Sequence, residues 1–524
     1  MQRIITSRRS QSNFIAALWI AVSSLAAGAQ TKSPPPDSLT VNARLVVLDV
    51  VVTDPSGKPV EGLTAKDFEV DEDGKPQRIR SLEPPSAHEL PASTLAVGAA
   101  AVFDPARPAN FGRSPVNILI LDEANTHFAD SAFARRSIRD YLAAQPALLA
   151  QPTTLLSIYD NHFKTLQGFT RDRDAVMHAL AAAPTEYAWK LETFGKTEYG
   201  PLERLDQSLR ALEEIAQSYA PVPGRKNVIW VGAGFPSIDP TSLAGNDAAE
   251  VKDTLRHVTD LLLDTRITLY AVDPTSSAAG MTEITDPTQL EFAQAAGDSL
   301  FGGIDPYGAT DDFDRLGPVT GGRVIRGRNA VAQQIAASVD LGSQFYTIAY
   351  SPTSTAETAS QYRKIKVVCL RSGLTATTRN GYYSRGTQQE TSRATAAYDL
   401  TTAAESDLPL NGLRVTVSPS ASSGSYIVHV GLPNLTWTPK ADGSASSSVY
   451  IMVVSLNAAR QMVGHTITGM LASAAPGANL RDDTRTADFA VVAKPAAKAA
   501  SLRFIVRDSG TGRMGSVDVP LAKN

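Results

Sequence analysis

The sequence predicts a mixed α/β protein. Its centre should be a mostly parallel sheet with helices on both faces, flanked by an N-terminal β region and a C-terminal β-sandwich. Two patterns support this class. Aliphatic runs alternate with amphipathic helical segments through residues 111–384, as in parallel sheets with crossover helices. Short β-branched runs separated by Gly, Asn and Ser turns occupy residues 411–524, as in sandwiches.

The first 29 residues have the organisation of a secretory signal peptide. Arginines precede an apolar run at residues 14–26, and Ala27 and Ala29 supply the small residues of a cleavage site. This run is shorter than the roughly 20 residues of a membrane-spanning helix. We therefore expect cleavage after Ala29, export to the periplasm or the exterior, and no membrane span in the mature chain. An uncleaved anchor is the alternative.

Composition limits the class of partner. The chain has 524 residues, a formal charge of −4, 43% hydrophobic residues and one cysteine, Cys369. The charge is weak and has no basic run, so nucleic acid is not expected as a partner. Cys369 lies in an apolar run and should be a small buried hydrophobe.

The expected organisation is a signal peptide (1–29), a β region with a linker (30–110), an α/β domain (111–384), a linker (385–410) and a β-sandwich-like domain (411–524).

The elements follow in chain order from the same patterns. A β-branched run at residues 45–53 predicts a strand, and Asp73-Gly74 predicts a hairpin turn after it. In the central region, Asp130 or Ser131 is expected to begin a helix. Apolar residues at helical spacing predict two further helices with core-facing stripes. The central strands are predicted at residues 117–121, 154–159, 227–231, 267–272 and 323–325.

Several ordered motifs resemble the VWFA-related Acidobacterial domain family. They lie at residues 48–60, 67–70, 72–77, 119–126, 169–172, 362–366 and 380–383. The similarity spans about residues 41–384. It implies a von Willebrand factor A-type, Rossmann-like domain with a ligand site at the carboxyl edge of its sheet.

In that superfamily the carboxyl edge carries a metal-ion-dependent adhesion site. An Asp-x-Ser-x-Ser loop, a Thr and a second Asp supply oxygen ligands, which Mg²⁺ or Mn²⁺ favours. Asp122 matches the leading Asp and Thr126 matches the last hydroxyl residue, whereas Ala124 replaces the middle Ser. Asn125 offers a nearby oxygen. The resemblance therefore implies a degenerate site, and a purely structural loop is the alternative.

Two other ligands of the superfamily are not matched. Thr193 and Thr197 are both candidates for the second-loop Thr, and Gly232-Ala233-Gly234 occupies the place of the second Asp. Asp160 ends the strand expected beside that of Asp122 and could replace a lost ligand, although Asp-Asn is also an ordinary turn start. Glu123 and His127 are candidate partner contacts on the same loop.

These observations predict a secreted protein-binding or adhesion module rather than an enzyme. One alternative is a structural cell-envelope protein without a metal. The other is a hydrolase using His127 or His162 beside Asp122 or Asp160. The sequence has no nucleophile-elbow motif and no histidine pair at metal-ligand spacing. The partner is expected to be a protein or cell-envelope component of unspecified identity.

Overall fold

The structure is a computed structural model. It describes residues 45–160, 162–186, 188, 200–234, 247–274, 282–284, 313–327, 330–353, 361–384, 392–422 and 424–521. The predicted signal peptide, Thr193 and Thr197 lie outside the described residues.

The elements are numbered in chain order. The strands are β1 (Val46–Thr53), β2 (Phe68–Glu72), β3 (Lys75–Gln77), β4 (Ile79–Glu83), β5 (Val116–Asp122), β6 (Leu148–Ile158), β7 (Phe163–Asp172), β8 (Lys226–Val231), β9 (Ile267–Asp273), β10 (Thr282–Ile284), β11 (Arg323–Arg326), β12 (Tyr346–Tyr350), β13 (Gln361–Cys369), β14 (Thr375–Thr377), β15 (Gly381–Ser384), β16 (Val415–Pro419), β17 (Ser425–Gly431), β18 (Thr438–Pro439), β19 (Ala445–Leu456), β20 (Met462–Ala474), β21 (Thr486–Val492), β22 (Ser501–Asp508) and β23 (Met514–Pro520). The α-helices are α1 (Ala92–Val97), α2 (Phe128–Ala143), α3 (Arg173–Ala182), α4 (Gly200–Tyr219), α5 (Asp247–Asp264), α6 (Phe313–Val319), α7 (Val331–Ser343) and α8 (Arg393–Glu405).

The central sheet has the strand order β10-β11-β9-β8-β5-β6-β7. The neighbours from β11 to β6 pair in parallel, and the two outermost pairs are antiparallel. The strands predicted in the central region all occur in this sheet. The prediction of a mixed α/β protein with a mostly parallel sheet is therefore confirmed.

Helices cover both faces of this sheet, because its buried strands are apolar on both sides. Alternate residues of β5 separate into two cores. Ile118 and Ile120 pack in one core with the apolar stripes of α4 and α5, whereas Leu119 and Leu121 pack in the other with α2, α3 and α7. The stripe on α4, which includes Leu205, is core rather than a partner groove.

The N-terminal strands pair with strands from the far end of the central region. One sheet has the order β14-β1-β12-β4 and a second has the order β15-β13-β2-β3. Both sheets contribute to one hydrophobic core, in which Cys369 is buried as expected. The predicted hairpin is formed by β2 and β3, with Asp73 and Gly74 both at positive φ. The predicted domain boundaries remain a prediction, but residues 45–83 share their sheets with residues 346–384.

The C-terminal strands form two sheets around a common core. Three strands have the order β16-β17-β21, and the other sheet has the order β18-β19-β22-β23 with β20 paired to β19. Apolar side chains from both sheets meet in this core, including Val428, Ile451 and Phe504. The opposite face of β19 and β22 packs against α8. The two facing sheets agree with the predicted sandwich.

Two local expectations were wrong. Helix α2 begins at Phe128 with His127 as its N-cap, not at Asp130 or Ser131. The carbonyl of His127 accepts the amides of Asp130 and Ser131, at 2.9 and 2.8 Å, so both residues already lie in the first turn. The segment predicted as a second linker contains α8, whose N-cap Ser392 accepts the amide of Thr395.

Candidate functional site

The loop after β5 lies at the carboxyl edge of the central sheet and is organised by Asp122. This residue is fully buried. Its Oδ1 accepts the amides of Ala124 at 3.1 Å and Asn125 at 2.9 Å, and the Asn125 side-chain amide at 3.3 Å. A carboxylate that accepts amides two and three residues ahead closes a tight Asx-type turn. Asp122 therefore fixes the path of its own loop.

The second carboxylate oxygen of Asp122 joins this loop to the end of β8. Oδ2 accepts the indole N–H of Trp230 at 2.9 Å and the amide of Gly234 at 3.2 Å. The hydroxyl of Thr126 accepts the amide of Ala233 at 3.0 Å. These bonds bring residues 232–234 directly against the Asp122 loop.

Gly232 permits this close approach. A Cβ at Gly232 would lie 2.6 Å from both the Asp122 Cβ and the Thr126 hydroxyl, and its φ is +151°. Either feature disfavours any other residue there. The close packing of the two loops thus explains the glycine at position 232.

The electrostatics of Asp122 are dominated by its burial. Loss of hydration raises the pKa of its carboxyl to about 6, while the hydrogen bonds from Asn125, Trp230 and Gly234 act in the opposite direction. Burial lowers the pKa of Arg204 on α4, while the negative charge of Asp122 acts in the opposite direction. Protein donors have thus replaced the water that an exposed carboxylate would bind.

This arrangement does not fit the predicted adhesion-type metal site. Each oxygen of Asp122 accepts at least two protein N–H groups, which occupy the lone pairs that a cation would need, and the Thr126 hydroxyl accepts one. Asn125 donates its side-chain amide to Asp122 and to Ser208, and within the described residues its Oδ1 accepts no hydrogen bond. The two loops are held together by direct hydrogen bonds.

Asp160 lies at the same edge, two residues beyond the end of β6. Because Asp122 pairs with Ile158, Asp160 is on the strand next to that of Asp122, as the sequence predicts. Asp273 ends β9, two strands away on the other side. The role of Asp160 as a replacement ligand remains a prediction.

The two candidate partner contacts differ in accessibility. The Glu123 side chain is fully buried, and its carboxylate pairs with Arg135 at 2.6 Å. Glu123 is therefore not exposed for direct contact, and its role as a partner contact remains a prediction. His127 is exposed at the start of α2, and the adjacent Phe128 is 51% exposed. Phe128 was missed because an aromatic residue in a helical pattern usually indicates core.

A second polar cluster was also missed by sequence reasoning. Glu213, His257 and Asp399 come from α4, α5 and α8, and their ligand atoms all lie within 4.8 Å of one another. This buried group could hold a metal ion. The three residues are far apart in the sequence, so no spacing rule could reveal them. We name these three residues the junction cluster.

Comparisons with known proteins add little to this picture. No protein-family profile and no curated protein matches the sequence. The chain is similar to proximal thread matrix protein 1 from the mussel byssus, with a TM-score of 0.20 and 12% identity over 31% of this chain and 38% of that chain.

Two further solved structures show similarly low values. The SpRpn10 VWA domain aligns with a TM-score of 0.17 and 11% identity over 32% of this chain and 77% of that domain. The pilus adhesin SpaC from Lactobacillus rhamnosus GG aligns with a TM-score of 0.25 and 9% identity over 77% of this chain and 53% of that chain. Such low scores carry no argument about fold or function.

Among the described helices, none combines the length and apolar character required to cross a bilayer.

Proposed function

We propose that the protein is an exported, non-enzymatic binding module of von Willebrand A type, which engages a protein partner at the carboxyl edge of its central sheet without using a cation there. The domain type rests on the sequence resemblance together with the parallel sheet and its two helical layers. Export rests on the predicted signal peptide.

One observation carries the binding proposal. Phe128 is 51% exposed beside His127, at the start of α2 and directly after a loop whose backbone is fixed by the hydrogen bonds of Asp122. Exposed aromatic side chains on rigid supports are typical centres of protein interfaces, since they bury much area and lose little entropy. A partner would present an apolar surface to Phe128 and a hydrogen-bonding group to His127.

Independence from a cation follows from the same loop. A metal-dependent adhesion site leaves a coordination position open for the carboxylate of a partner. Here N–H groups of Asn125, Trp230 and Gly234 donate hydrogen bonds to the two carboxylate oxygens of Asp122. Binding at this edge should therefore survive a chelator.

Site-directed photocrosslinking tests the proposal. The variant Phe128→benzoylphenylalanine, exported in its native host, should form one discrete protein adduct, equally with and without EDTA. Leu148→benzoylphenylalanine is the matched control, because Leu148 is 41% exposed at the opposite, amino edge of the same sheet. We expect no adduct there.

Two results would contradict the proposal. Equal adduct patterns from positions 128 and 148 would mean that the carboxyl edge has no specific partner, which favours a structural envelope protein. An adduct that disappears in EDTA and returns with Mg²⁺ would mean that a cation mediates binding after all.

A further inference from the structure

The junction between the α/β region and the C-terminal strands is built around α8. On one side, Leu400 and Ala403 pack against the β19 and β22 face. On the other side, Asp399 faces the two helices that cover the central sheet, α4 and α5. The junction cluster therefore draws two side chains from helices that cover the central sheet and one from the helix that packs against the C-terminal strands.

Asp399 is the centre of this cluster. Its Oδ1 lies 2.8 Å from His257 Nε2, and its Oδ2 accepts the Arg507 Nε–H at 2.6 Å. The side chains of Asp399 and Arg507 are fully buried, whereas that of His257 is 11% exposed. His257 thus marks the side from which solvent reaches the cluster.

Glu213 is the second acidic residue of the cluster. It is fully buried, and among the described residues neither of its carboxylate oxygens has a hydrogen-bond donor. Arg507 already pairs with Asp399, so an ionised Glu213 would be a second buried negative charge beside the first. Such a group requires either a proton or a cation.

Gly512 closes the cluster on the side of the C-terminal strands. A Cβ there would lie 2.8 Å from His257 Cε1 and 3.3 Å from Arg507 Nη2, and its φ is +72°. Its carbonyl accepts the side-chain amide of Gln217 from α4 at 2.9 Å. The backbone at Gly512 is thus packed directly against the cluster, where a side chain would collide with His257.

We propose that Glu213, His257 and Asp399 bind one divalent transition-metal ion of the Zn²⁺ class and thereby join the α/β region to the C-terminal strands. One imidazole nitrogen and two carboxylate oxygens are ligands that Zn²⁺ accepts, and the imidazole disfavours Mg²⁺ and Ca²⁺. Arg507 holds the second oxygen of Asp399, as outer hydrogen bonds commonly orient metal-binding carboxylates. The ion would neutralise Glu213 and stabilise the folded chain.

Cobalt titration of the full mature chain, freed of metal by a chelator, tests this proposal. Co²⁺ is the probe because it takes the place of Zn²⁺ and gives visible absorption bands. We expect saturation at one ion per chain, displacement by Zn²⁺ but not by Mg²⁺, and a higher Tm with Zn²⁺. Glu213→Gln and His257→Gln should each weaken Co²⁺ binding by at least about tenfold.

The controls separate a metal site from a protonated carboxyl. His429→Gln is the matched control, because His429 forms a histidine–aspartate pair with Asp488 at 2.7 Å outside the junction cluster. It should leave Co²⁺ binding unchanged. Glu213→Gln preserves the shape of the side chain and removes the buried charge, so the variant should fold.

Two results would overturn the proposal. One is the absence of saturable Co²⁺ binding by the folded wild-type chain. The other is a Glu213→Gln variant with unchanged Co²⁺ affinity, since Glu213 would then be held neutral by a proton. Neither result bears on the adducts at position 128, so this proposal and the binding function can fail separately.

Discussion

The substitution Gly232→Ala should disrupt the contact between the Asp122 loop and the end of β8. The new Cβ would lie 2.6 Å from the Asp122 Cβ and the Thr126 hydroxyl, whereas ordinary contact begins at 3.4 Å. The loop must therefore move by about 0.8 Å. A shift of that size along the bonds would break the hydrogen bonds of Ala233 to Thr126 and Gly234 to Asp122, now 3.0 and 3.2 Å long.

The expected cost follows from those two bonds. A neutral hydrogen bond contributes about 0.5–1.5 kcal/mol and one to a carboxylate about 1.5–3 kcal/mol, so the free energy of unfolding should fall by about 2–4 kcal/mol. Urea denaturation followed by circular dichroism would measure the loss, with EDTA present throughout.

Gly57→Ala is the control for this prediction. Gly57 also has a positive φ, +81°, but a Cβ there meets nothing within 4 Å. It reports the backbone cost alone, of about 1 kcal/mol. If Gly232→Ala lost no more stability than Gly57→Ala, the close packing of the two loops would be refuted.

Two further substitutions test buried ionisable side chains. Arg135→Met should lower the free energy of unfolding by about 3–5 kcal/mol, because it leaves the Glu123 carboxylate buried and unpaired; a loss below about 1 kcal/mol in urea denaturation would contradict this. His88→Gln tests pH dependence. Burial lowers the pKa of His88 below 6.5, so the unfolded chain binds the proton more readily and stability falls as the pH drops below 6.5. The variant should lose less stability than the wild type between neutral and acidic pH, measured as Tm; parallel pH profiles would contradict the argument.

The central sheet was predictable because its signals are local. Strands β5, β8 and β9 are buried on both faces, so each consists mainly of apolar residues. The stripes of α4 and α5 follow the helical repeat for the same reason. A local sequence pattern is sufficient to predict a strand or helix wherever burial of a particular face determines the residue type.

Pairing between distant segments was not predictable. Strand β1 pairs with β12, although the two strands are far apart in the sequence. The alternation of apolar and polar residues within a strand does not indicate which other strand it pairs with. Helix α8 was missed because its alanines and threonines do not separate into apolar and polar faces. In both cases tertiary contacts determine the structure.

The candidate site also has features that the sequence could predict and features that it could not. The carboxyl-edge position of Asp122 and Asp160 follows from strand order, which the resemblance supplied. The bond from Trp230 to Asp122 and the burial of Glu123 depend on distances between loops. Hence the sequence indicated where a site could lie, but not that protein donors occupy its oxygens.

Hydrogen–deuterium exchange of the wild-type chain tests the central claim, that direct hydrogen bonds rather than a cation organise the carboxyl edge. Peptides covering residues 117–126 and 226–234 would be compared in EDTA and in excess Mg²⁺ or Mn²⁺. The bonds from Asn125, Trp230 and Gly234 to Asp122 predict the same protection in all three conditions. Protection in these peptides that rises with either metal and falls in EDTA would contradict the account.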